Sequence, residues 1–305
     1  MLGIFVSVVL PVFIVAGFGF LLERRFRLPI LPVNQVVLYV LMPCFIFTSL
    51  LPVDFRSDEP LRIGLFSVLL TVAMLGVGFV IARLLRLDRV TTSALLLTAA
   101  FPNLGNYGLS IVLLAYGAEG VFFGTILLAV QMLFGLTLAV FIASSGSSPV
   151  SRSLAEVAKQ PAFYAVAAAL LLGAADVTIP KFITDAIALP AQAAIPVMLL
   201  VLGMQISGTE RIEDPRLVSL AIATRLMIGT LVGVGLVIAL GITGVARDVM
   251  IVGSAMPTAV FTILTATQFG ARPRFVSDVV VAGTLASIVT VTAVLAALSG
   301  RFSLL

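Results

Sequence analysis

Histidine is absent from the 305 residues, cysteine occurs once, and only 10% of the chain is charged. Without histidine there is no Ser-His triad, no imidazole metal ligand and no histidine proton relay. Cys44 stands alone, so no disulfide forms within the chain. The few charges, against 61% hydrophobic residues, exclude a soluble domain. The net charge of +4 does not indicate nucleic acid, because the basic residues are scattered over short loops and form no continuous groove. No enzyme chemistry and no cofactor are expected.

What is present is a series of apolar runs, each near the length of about 17 to 25 residues needed to cross a hydrocarbon core. Ten can be counted, at Leu2 to Leu22, Ile30 to Leu50, Leu61 to Ala82, Thr92 to Leu114, Val121 to Ala143, Ala162 to Ala175, Ile187 to Ile206, Leu217 to Leu240, Val249 to Phe269 and Phe275 to Leu298. The sixth is the shortest. The first reads as a retained span, since it lacks a basic start and Arg24, Arg25 and Arg27 follow its apolar stretch. The expected fold is thus an all-α integral membrane protein of ten transmembrane helices in a cell membrane.

Basic residues are retained on the cytoplasmic side. One set of loops carries twelve of them, from Arg24 to Arg274, and the opposite set with the C-terminus carries five: Arg56, Arg62, Lys181, Arg247 and Arg301. Both termini are therefore expected outside.

The chain also repeats itself. VLMPCF around Pro43 is echoed by AAIPVM around Pro196, GVG at Gly76 by GVG at Gly233, and AAFPN around Pro102 by SAMPT around Pro257. YGA at Tyr116 returns as FGA at Phe269. Glu119 precedes Gly124-Thr125 as Asp278 precedes Gly283-Thr284, and all the offsets lie between 153 and 159 residues. Two five-helix repeats follow, 1–145 and 146–305, joined by the polar run Ser144 to Ser153. An odd number of spans per repeat makes the second inverted, as in many secondary transporters.

The stretch AAFPNLGNYGLSIV, Ala99 to Val112, breaks the apolar pattern with Pro102, Asn103, Gly105, Asn106 and Gly108. Proline and glycine interrupt helices, and backbone freed at membrane depth is tolerated only where protein or a water-lined cavity satisfies it. Pro257 interrupts the ninth segment at similar depth. Two crossing, broken helices, four and nine, would then meet at the centre, with a half-helix N-terminus and the Asn103 amide turned toward a bound anion. Tyr107, Thr258 and Thr262 adjoin the breaks. Pro43 and Pro196 read as kinks in scaffold helices. Arg225, inside the eighth segment, either attracts the anion or snorkels to the cytoplasmic end. Glu119 and Asp278 could exchange protons or be solvated caps. Gln131, Gln205, Gln268, Thr265 and Thr267 could coordinate an ion or bridge helices.

The run P-N-L-G-N-Y-G-L-S resembles the P-N-x-x-x-x-G-x-P signature of the auxin efflux carrier family, which includes PIN-type plant carriers and bacterial carriers of malonate and related acids. Pro102, Asn103, Gly108 and Pro257 match the family's kink, substrate-contacting Asn, Gly and second crossover Pro. Ser110 stands where plant members carry a second Pro, and Thr258 and Thr262 where they tend to have Gln and Pro, which counts against auxin itself. The resemblance implies a transporter of small organic anions working by alternating access, with a scaffold that could dimerise and a moving unit. Coupling to protons, to sodium or to neither stays open. A sodium-coupled carrier similar to the bile-acid symporters is the alternative, with a channel or an intramembrane enzyme more distant.

Overall fold

The computed structural model describes residues 1–51, 58–143, 160–175, 177, 179–207 and 212–302. The expected linker, Ser144 to Ser153, and with it the boundary between the repeats, lies outside the described residues. Described regular structure is helical throughout: α1 Leu2–Phe26, α2 Ile30–Leu50, α3 Asp58–Leu84, α4 Arg89–Ala100, α5 Leu104–Gly135, α6 Leu136–Ala143, α7 Pro161–Ala174, α8 Lys181–Ile206, α9 Pro215–Ala239, α10 Gly244–Ser254, α11 Phe261–Phe269 and α12 Pro273–Phe302. Among them α1, α2, α3, α5, α8, α9 and α12, seven in all, are long and apolar enough to cross a membrane.

The sequence reads through several interruptions that the backbone resolves. The fourth and ninth apolar segments are each split, into α4 and the start of α5, and into α10 and α11. Within α5 the fourth and fifth segments are two helices that meet at a kink at Gly117, with φ 62° and ψ −150°, a conformation for which glycine is suited. Pro43 follows a widened π-turn at Val37–Leu41. That turn relieves the clash of the ring with the carbonyl four residues earlier, so α2 continues. Helix α8 likewise continues through Pro190 and Pro196.

Two packed groups emerge. Helices α1, α2, α7 and α8 pack on one another, and α3, α4, α5 and α9 to α12 form the other group. Within the first, α1 and α8 cross with their backbones almost touching. A Cβ on Gly203 would run into the carbonyl of Ala16, and one on Gly19 into the carbonyl of Leu200. Small residues permit such contact where lipid supplies no hydrophobic drive to association. The groups meet where α5 abuts α1, α2 and α8, and where α1 meets α12.

Candidate functional site: two interrupted helices joined at the core

Helix α4 starts at Asp88, whose side chain accepts hydrogen bonds from Val90 N–H and Thr91 N–H and from the Thr91 hydroxyl. These donors favour the carboxylate and hold its pKa below the usual value. The helix stops at Phe101, since the residue before a proline is pushed to extended backbone. Its 12 residues rise about 18 Å against a hydrocarbon core of about 30 Å, which sets the break near mid-bilayer. Helix α10, 11 residues long, breaks after a similar rise.

The two breaks meet as a short antiparallel bridge between Pro102 and Thr258. Asn103 N–H donates to Pro257 O at 2.7 Å, and Ala259 N–H donates to Phe101 O at 2.8 Å. The Thr258 hydroxyl donates to Thr98 O at 2.7 Å. From α5, Gln131 Nε2 donates to Pro102 O at 3.0 Å. Gln131 thus bridges helices, one of the two roles open to it from sequence.

Beyond Asn103 the chain re-enters helix through a π-turn, Leu104–Gly108, closed by Gly108 N–H donating to Asn103 O at 2.9 Å. The amides of Gly105, Asn106 and Tyr107 lie in this first turn, where a helix offers its donors no earlier carbonyl. Gly105 and Asn106 are partly exposed, whereas Phe101 to Leu104 and Tyr107 to Val112 are buried. The opening therefore leads to the positive end of the half-helix. A Cβ at Gly105 would lie 3.0 Å from Met42 Cε and 4.0 Å from Met198 Sδ, so α2 and α8 supply a thioether wall. One at Gly108 would meet Asn103 O at 3.2 Å. Tyr107 is fully buried, edge-on to Phe13, with Ser287 Oγ 3.4 Å from its hydroxyl. Thr262 is buried and donates to Ala259 O at 2.6 Å.

Arg225 lies in a π-turn of α9, Thr224–Ile228, and is 1% exposed. It does not snorkel. Its Nη1 donates to Ala99 O at 2.9 Å and its Nη2 to Ser254 O. Those carbonyls end α4 and α10, so one guanidinium caps the negative ends of both interrupted helices. No carboxylate pairs with it among the described residues. Gly229, one turn on, leaves room for it: a Cβ there would sit 2.5 Å from Nη2.

Several buried polar atoms around the crossing have no protein partner among the described residues: Asn103 Nδ2, Ser110 Oγ, Gln131 Oε1, Thr224 Oγ1 and Arg225 Nε. Unpaired buried groups are costly, and Gln205 Oε1, Asp248 Oδ2 and Thr290 Oγ1 are in the same condition elsewhere. The acidic pair is not equivalent. Glu119 is exposed, whereas Asp278 is buried and accepts from Glu213 N–H at 3.0 Å, with no described bond to the crossing. Pro43 and Pro196 sit in continuous helices beside Met42 and Met198. Those two methionines carried no chemical signal in the sequence except their place next to repeated prolines.

Interrupted helices whose breaks meet at the core of a multi-span helical protein are the architecture found in many secondary transporters. The chain matches the membrane transport protein family over residues 4–153 and 149–295. It belongs to that family, which is the auxin efflux carrier family. It is also 26% identical over 268 residues, 84% of this chain and 85% of the relative, to an uncharacterized transporter of Methanothermobacter thermautotrophicus.

Proposed function

We propose that this transporter moves small organic anions, mono- or dicarboxylates, by alternating access, with the substrate held at the crossing. The observation that carries this is the set of donors around the break. The Asn103 side-chain Nδ2 and the Arg225 Nε–H lack partners among the described residues, and the first-turn amides of α5 face a partly open approach. A guanidinium buried without a carboxylate partner leaves a positive charge for an anion to offset. Binding there uses the dipole of the half-helix as well.

The chain is read as ten spans in two inverted repeats, with α4 and the start of α5 as the fourth and α10 with α11 as the ninth. Helices α1, α2, α7 and α8 serve as the scaffold, and the remaining group moves. Met42 and Met198 form the contact past which the site slides, and flexible thioethers suit a surface that must re-pack. Both termini lie outside, and the scaffold is the surface for a homodimer. A sodium-coupled carrier is the second reading of the same site; protons are the other coupling ion, with Asp278 the buried acid to test.

Uptake of labelled malonate and other mono- and dicarboxylates into proteoliposomes, with imposed sodium, proton and potential gradients, tests this reading. Saturable uptake of at least one acid is expected, abolished by Pro102→Ala and by Pro257→Ala. Uptake of no acid under any gradient would contradict it.

A further inference from the structure

At the junction of α3 and α4, away from the crossing, a cavity of about 730 Å³ is lined by Arg83, Arg86 and Arg89 together with Thr92 and Ser93. Phe79, Leu96 and Phe141 form its apolar wall. Phe79 and Phe141 are 48% and 40% exposed, on outward faces of α3 and α6. The Arg83 guanidinium lies 5.1 Å from the centre of the Phe79 ring, so the charged and apolar parts are continuous. The only carboxylate in the connecting loop, Asp88, is turned back onto its own helix by the bonds from Val90 and Thr91. It does not line the cavity.

Three cations at the end of a long apolar helix, beside exposed aromatic surface, match one kind of molecule: an amphiphile with an anionic head and acyl tails. We infer that this cavity binds the phosphate of an anionic phospholipid, with its chains along Phe79 and Phe141. Arginine is suited to the head because its fork donates two hydrogen bonds to phosphate oxygens. Basic pockets between membrane helices on the side rich in Lys and Arg hold such heads. The site is independent of the anion site at the crossing. It would couple the loop between α3 and α4 to the composition of the leaflet, because the lipid would brace the N-terminus of α4, whose other end forms the break.

The test uses the full-length protein in neutral detergent with four probes: short-chain phosphatidylglycerol, short-chain phosphatidylcholine, glycerol phosphate and inorganic phosphate. Each basic residue near an anionic surface contributes about five-fold in binding. The variant Arg83→Gln/Arg86→Gln/Arg89→Gln should therefore lose at least ten-fold in affinity for phosphatidylglycerol. Arg83→Lys/Arg86→Lys/Arg89→Lys keeps the charge and should lose less. A control, Arg24→Gln/Arg25→Gln/Arg27→Gln, removes equal charge elsewhere and should bind as the parent does. Phosphatidylcholine and the two soluble phosphates should bind at least ten-fold more weakly than phosphatidylglycerol. Equal loss in the control would reduce the effect to overall charge and overturn the site. Equal binding of inorganic phosphate would make it a soluble-anion site, and equal binding of phosphatidylcholine an apolar cleft; each overturns the inference.

Discussion

Replacing Arg225 with methionine removes the donor shared by the ends of α4 and α10 while keeping an unbranched side chain in the same space. Ala99 O and Ser254 O then have no guanidinium to accept from. An orphaned buried carbonyl costs about 1–3 kcal/mol, so two cost about 2–6 kcal/mol. Part of this is offset, because burying a guanidinium itself costs several kcal/mol. A net loss of about 1–4 kcal/mol is expected, with both break ends loosened together. Lysine keeps the charge but lacks the fork that reaches two carbonyls on different helices, and glutamine can donate to one of them. The order of stability should be Arg, Lys, Gln, Met. Reversible unfolding in mixed micelles measures it, and cysteine accessibility at Thr98 and Ser254 reports whether the break opens. A methionine variant as stable as the parent, with both positions still protected, would refute the capping argument.

Further consequences concern other parts of the molecule. Gly203→Ala should destabilise by about 1–3 kcal/mol or more, because the added methyl meets the fixed backbone of Ala16 and Phe20 rather than a side chain that can swing away; unfolding in mixed micelles reads it. Gln131→Leu should cost about 0.5–1.5 kcal/mol, since it removes one of two donors to Pro102 O and leaves Leu104 N–H as the other, with transport lost before folding. Asp88 has a native pKa lowered from 3.8, so its contribution is present above that value and is lost as pH falls through the lowered native one. Asp88→Asn should flatten the stability profile below about pH 4 and leave it nearly unchanged at neutral pH. With Cys44 replaced by alanine, a cysteine at Leu85 should react with an impermeant reagent only after the cytoplasmic side is opened, and one at Thr243 from outside. The reverse pattern would invert the proposed orientation.

The all-helical, multi-span character was legible because lipid imposes it: apolar length marks spans, and proline and asparagine inside them stand out against a uniform background. The separation of the fourth and fifth segments, read from the sequence between Leu114 and Val121, coincides with the non-helical backbone at Gly117. The same uniformity hid the rest. Pro43, Pro102, Pro196 and Pro257 look alike as letters. Two of them sit in continuous helices because the preceding turn widens or neighbours absorb the strain, and the other two end their helices because a partner break supplies the missing hydrogen bonds. Arg225 was visible as a lone buried charge, yet its partners are carbonyls 126 and 29 residues away, which carry no side-chain signal. Glu119 and Asp278 matched as repeat partners, but their environments differ, since repetition of sequence does not repeat burial.

The central claim is that the break at Pro102 and Asn103 holds an anion, and Asn103→Ala tests it most directly. The substitution leaves the Pro102–Thr258 bridge and the backbone bond from Asn103 N–H to Pro257 O in place. It removes only the side-chain amide, whose Nδ2 has no protein partner among the described residues. Loss of one hydrogen bond to a charged ligand at a desolvated site costs about 1–3 kcal/mol, or about five- to 150-fold in affinity. Calorimetric titration with malonate and with each other carboxylate that binds the parent should show that loss, with the unfolding transition unchanged. Affinities equal to those of the parent for every such acid would contradict the account.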